Sequence, residues 1–173
     1  MFDAVKQGFT GLVLFVGQWL SPGGEQAGLR IEDVREDSAA WVLSCKMKIA
    51  WNDQLEQMVD AGIPLRFQIL AVTDQNDSAV FYRFLSFNMM DYTYTYADST
   101  AERRTVSQKY PLVYLALKDF CQWKFRVVKS AASCKITAVL LPSRVSRLNR
   151  MVDLSQLWGQ RSVETTWEKD KPE

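Results

Sequence analysis

Three arginines, Arg144, Arg147 and Arg150, recur at intervals of three. On a helical turn that spacing puts side chains on one face, and three guanidinium forks together would bind a phosphate or a lipid headgroup. On an extended loop the same three diverge into solvent, and the sequence leaves both readings open. A second set is Tyr92, Tyr94 and Tyr96, alternating with Thr93 and Thr95. On a strand the rings share one face, either as a stacking platform for a ligand or as ordinary cross-strand packing. The pairs Glu32-Asp33 and Glu36-Asp37 supply the residue type for acid–base chemistry. They flank a turn signal, where carboxylates are normally solvated.

The chain contains no histidine. It therefore lacks the commonest metal ligand and the side chain suited to proton transfer near neutral pH, and Ser–His and Cys–His nucleophile pairs are excluded. Cys45, Cys121 and Cys134 are far apart with no CxxC pair, so a zinc site is not expected. Cys45 and Cys134 both fall on the inward phase of expected strands, as buried thiols or, in an exported protein, as a disulfide. Gly23-Gly24 lacks the Lys-Ser/Thr of a phosphate loop. No catalytic residue, metal or cofactor is assigned.

The elements that must position these residues follow from apolar periodicity. Trp41, Leu43, Cys45, Met47, Ile49 and Trp51 alternate with Ser44, Lys46 and Lys48, a strand with one apolar and one wet face. Asn52 then offers a helix cap with Glu56 reaching back; Leu55, Met58 and Val59 repeat at helical spacing, and Gly62 stops the helix before Pro64. Short strands are expected at 29–34, 65–72, 79–87 and 90–96, with a return at 103–108. Pro111 opens a second helix ending near Trp123. Strands resume around Phe125 and Val127, over 134–141, and from Val163 to Trp167. Pro142 leads into a loop carrying the three arginines. This order predicts an α+β fold, mainly antiparallel β-sandwich-like sheets with two short helices.

With 173 residues, 47% apolar and 24% charged, the chain is long enough and apolar enough for one folded domain. The net charge of +1 conceals a balance of −6 over residues 1–101 and +7 over 102–173. Opposite charges can cancel where the halves meet, or a basic face can await an anionic partner. Lys6 precedes an apolar run from Gly8 to Leu20, then Ser21-Pro22-Gly23-Gly24 breaks it. That pattern reads as a secretory signal, although Asp3, Trp19 and the lack of a clean cleavage site argue for an N-terminal packing helix. The expected division is 1–27 as a signal-like or membrane-tethering segment, 28–168 as a single β-rich domain, and 169–173 as a charged tail.

The strand, helix and Gly62-Ile63-Pro64-Leu65 junction resembles the bacterial domain-of-unknown-function family 4390. The similarity runs in order through Leu55 to Val59, Gly62 to Phe67, Tyr92 to Tyr96, Leu112 to Trp123, and Leu140 through Trp158 to Trp167. It spans roughly residues 28–168. The irregular N-terminal region departs from the family, as does Trp158-Gly159-Gln160, where members more often begin a polar strand. The resemblance implies an exported protein, often encoded beside a nitrogen-regulation-type sensor kinase, and carries no catalytic residues. The expected function is a non-catalytic extracytoplasmic domain, periplasmic or membrane-tethered, acting through protein or envelope contacts, with a membrane sensor protein or envelope component as partner and no nucleic acid. The alternatives are a small-ligand or lipid binder using a concave aromatic sheet face, and a cytoplasmic location.

Overall fold

A computed structural model describes residues 27–145 and 150–169. The alternation that begins at Ala40 forms β2 (Ala40–Lys48), whose Leu43, Cys45 and Met47 are buried while Ser44, Lys46 and Lys48 face outward. It pairs antiparallel with β1 (Gly28–Glu36) on one side and β7 (Gln122–Val128) on the other, giving a three-stranded sheet. Strand β2 ends at Lys48, before Ile49 and Trp51, because the chain turns there to cap the first helix; the Trp51 indole instead donates to Glu56 at 3.1 Å.

Helix α1 (Asp53–Asp60) is capped by Asn52, whose Oδ1 accepts from the Leu55 amide at 2.9 Å. Glu56 lies one place too far along for the reciprocal bond, which explains its use by Trp51. At the other end the Gly62 amide donates to the Val59 carbonyl and the Ile63 amide to the Met58 carbonyl. This paired closure requires the left-handed conformation that Gly62 adopts at φ +86°.

The remaining strands are β3 (Leu65–Thr73), β4 (Ser78–Asn88), β5 (Thr93–Ser99), β6 (Arg104–Val106), β8 (Ser133–Leu141) and β11 (Ser162–Glu168). They form an antiparallel six-stranded sheet in the order β11-β8-β3-β4-β5-β6. Central β3 buries Leu65, Phe67, Ile69 and Ala71 on one face, against the inward side of the three-stranded sheet. Phe81 of β4 packs on Trp123 and Phe125 of β7, and Trp41 of β2 on Trp167 of β11. The fold is α+β and sandwich-like, as expected.

Helix α2 (Val113–Phe120) stops at Phe120, three residues short of Trp123, because Trp123, Phe125 and Val127 belong to the alternating face of β7. A third helix, α3 (Ser155–Trp158), was not expected. Its four residues are too few to show a helical period, but it buries Leu157 and Trp158 and ends at Gly159, φ +81°. Strand β5 begins at Thr93 rather than Met90; Met89 to Tyr92 form the turn, with Tyr92 at φ +53°. The region after Pro142 pairs as a two-stranded ribbon, β9 (Ser143–Val145) with β10 (Arg150–Val152). No described helix is long and apolar enough to cross a membrane, and the signal-like run lies outside the described residues.

Candidate functional site

The tyrosines do not form one platform. Tyr92 projects from the β4–β5 turn and is exposed, whereas Tyr94 and Tyr96 face the inner side of the sheet. Tyr94 is buried and donates from its hydroxyl to Asp60 of α1 at 2.6 Å. Tyr110 exchanges backbone hydrogen bonds with Tyr94 and donates to Asp119 of α2 at 2.7 Å. Burial, reinforced by the Asp119 carboxylate, pushes the Tyr110 hydroxyl up to about 12; burial and Asp60 push Tyr94 in the same direction. These phenols stay protonated and tie both helices to β5.

Beside them lies Arg83, almost fully buried on β4. Its Nε and Nη2 donate to the two Asp98 oxygens at 2.6 and 2.7 Å, and its Nη1 to the Phe120 and Gln122 carbonyls at 2.6 and 2.7 Å. The rings of Phe81, Tyr96, Phe120 and Trp123 surround the guanidinium within 6 Å. This clamp fastens the end of α2 and the start of β7 to the six-stranded sheet. The sequence carried a signal for it: Arg83 sits on the inward phase with Phe81 and Leu85, where a charge must be paired.

Arg144 lies opposite Met151 and Arg150 opposite Val145 in the β9–β10 ribbon. Alternation sends Arg144 and Arg150 to opposite faces, so these two do not share an anion site of the helical kind. Arg147 lies outside the described residues.

The acidic pairs are ion-paired at the rim of the three-stranded sheet. Glu32 meets Arg30 and Lys46, Asp33 meets Arg35, Glu36 meets Lys129, and Asp37 meets Arg126. The bond from Arg30 holds the Glu32 carboxyl below its ordinary range, that from Lys129 holds Glu36 down, and the Ser38 amide does the same for Asp37. A general acid needs the opposite shift. Cys45 and Cys134 face each other's sheets from β2 and β8 as free thiols; burial, and then the neighbouring Cys134, push Cys45 up to about 12. Among the described residues no three His, Cys, Asp or Glu side chains converge as a metal site would need.

Among the described residues, the outward face of the six-stranded sheet carries no helix. One register line crosses it from Val106 through Ala97, Phe84 and Arg66 to Leu141. The next aligns Tyr82, Gln68 and Val139, and beyond it Val80 pairs with Leu70. Val106 and Val80 are 62% and 43% exposed. The Arg66 guanidinium covers Phe84 at 5.4 Å. Arg66, Gln68, Leu70 and Val72 are the second, partly apolar phase of β3, a signal that alternation in the sequence carries.

Comparison of the chain with protein-family models, characterised proteins and solved structures finds no match.

Proposed function

We propose that this is a non-catalytic interaction domain of the extracytoplasmic space, acting through protein or envelope contacts. The observation that carries the reading is the outward face of the six-stranded sheet, where aliphatic and aromatic side chains stand in register and no described helix covers them. Apolar residues left exposed on one face, as Val80 and Val106 are, mark a contact site when they gather there. The family resemblance supports export and suggests a membrane sensor protein as partner. A ligand site on the concave aromatic face has less support, since Phe67, Phe81, Tyr96 and Phe120 there are engaged with other rings.

The test is cross-linking and affinity capture from native membranes and periplasm, with the wild-type chain and a Val80→Lys, Val106→Lys variant. Both positions are exposed, so the variant retains its circular dichroism spectrum and thermal midpoint. The expected result is a partner recovered with wild type and lost with the variant. Equal recovery by both chains would refute the assignment of this face.

A further inference from the structure

The two edges of the sandwich differ. On one side β1 lies against β11 and closes the gap between the sheets. On the other side β7 ends the three-stranded sheet, and no described strand pairs with its outer edge. The register identifies the backbone groups that stand there. The Met47 amide donates to the Cys121 carbonyl at 2.8 Å, and Cys45, Leu43 and Trp41 lie opposite Trp123, Phe125 and Val127. Antiparallel strands alternate between bonded and unbonded pairs. The N–H and C=O groups of Lys124 and Arg126 therefore point away from β2, and no described group bonds to them. The Gln122 carbonyl, the first on this edge, is taken by Arg83 at 2.7 Å. The Val128 carbonyl, the last, accepts from the Ala131 amide at 3.1 Å. Lys124 and Arg126 are left between these stops as open pairing positions.

The space beside this edge is open on the inner side as well. Strand β4 runs past β5, whose Ser99 is opposite Tyr82, so Ser78 to Phe81 have no β5 neighbour. Phe81 packs on Trp123 and Phe125 yet stays partly exposed, and Ala79, on the same inward phase, is exposed. On the outer side Lys124 meets no carboxylate among the described residues, and Arg126 meets only Asp37, in an exposed pair at 2.6 Å. A second copy suits this edge poorly. Two-fold antiparallel pairing at the open positions sets Lys124 opposite Arg126 twice, and like charges directly opposed are destabilising. A strand with acidic residues at the same positions reverses that sign.

We propose that the outer edge of β7 accepts an extended peptide of the pattern acidic–apolar–acidic as a further antiparallel strand. Its acidic residues stand opposite Lys124 and Arg126, and the apolar residue between them turns inward beside Phe125 and Phe81. Strand addition of this kind draws affinity from main-chain hydrogen bonds and specificity from alternate side chains. The charges on β7 thus have two effects, turning away copies of the same edge and selecting a partner of opposite sign. The site belongs to a different sheet from the face carrying Val80 and Val106, and the inference stands independently of that face.

The experiment is amide hydrogen exchange of the full chain, read by NMR, with a short peptide alternating glutamate and valine. The Lys124 and Arg126 amides are expected to exchange readily in the free protein and to become protected with the peptide. The Trp123 and Phe125 amides, directed at β2, are protected in both states. Methylating the glutamate amides of the peptide, which face β7, weakens binding at least about tenfold through the lost hydrogen bonds. Methylating the valine amides, which face away, changes it less than about twofold. Lys124→Gln weakens binding about two- to fivefold, whereas Arg161→Gln, beside β11 at the opposite edge, leaves it unchanged. No protection of Lys124 and Arg126 at millimolar peptide overturns the proposal. So does equal weakening by the two methylations, which assigns the contact to charge alone. Protection that rises with protein concentration in the absence of peptide also overturns it, and assigns the edge to a second copy.

Discussion

Replacing Arg83 by Met tests how much of the fold depends on one buried charge. The Arg83 side chain is 5% exposed and Asp98 is 28% exposed. The substitution removes both bonds to Asp98 and leaves the Phe120 and Gln122 carbonyls without their donor. Breaking one side of a buried pair costs about 3–5 kcal/mol. The partial exposure of Asp98 pulls toward the lower end, since that carboxylate can turn to water. The two orphaned carbonyls, at about 1–3 kcal/mol each when buried, pull toward the upper end. The expected loss is about 4 kcal/mol, because these contributions overlap rather than add. For a chain of this size that lowers the thermal midpoint by about 8–16 °C. Urea titration followed by tryptophan fluorescence measures it, with an unchanged slope securing the comparison. Arg35→Met breaks the exposed pair with Asp33 and serves as the reference, at under about 1 kcal/mol. A double-mutant cycle with Asp98→Ala is expected to show coupling of about 1–3 kcal/mol. A loss below about 1 kcal/mol for Arg83→Met, or no coupling to Asp98, would refute the reasoning.

Asn52→Ala removes the cap of α1 and the bond from Asn52 Nδ2 to the Leu157 carbonyl at 3.0 Å; the expected loss is about 1–2 kcal/mol by urea titration. Asn52→Asp keeps the cap, so it recovers most of that loss if capping dominates. Burial raises the thiols of Cys45 and Cys121 from 9.0 to about 12. A folded value above the unfolded one means their contribution is complete below about pH 9 and is lost as pH rises toward 12. The thermal midpoint is therefore expected to fall across that window, with Tyr110 contributing from about pH 10 upward. Iodoacetamide at mildly alkaline pH is expected to label Cys45 only as fast as the chain unfolds; rapid labelling of the native protein would contradict the burial.

Much of the fold was legible because it is written locally. The period-2 pattern from Trp41 to Met47 specifies which side of β2 is buried, and a slip of one residue would expose the whole set. Asn52 and Gly62 mark α1 by their own side-chain and backbone chemistry. The face carrying Lys46 and Lys48 was visible as the wet phase of that same strand. Where the reading failed, the determinant was contact with residues distant in the chain. Trp123 fits the end of a helix by spacing, yet pairing with Cys45 draws it into β7. The Leu154 to Trp158 segment forms a helix because Trp158 has Phe67 to pack against, 5.1 Å between ring centres. Alternation alone cannot say that Tyr92 lies in the turn, because strand length is decided by where the partner strand β4 ends.

The sequence by itself therefore determined most of the strands, the capped helix, the sandwich class and the absence of histidine chemistry, since each is written in patterns a few residues long. Only the tertiary structure decided which apolar face is closed between the two sheets, that Arg83 sits inside a cage of four rings, and that Arg144 and Arg150 point apart. Those outcomes depend on which strands meet and in what register, and that choice belongs to the packing of the whole chain.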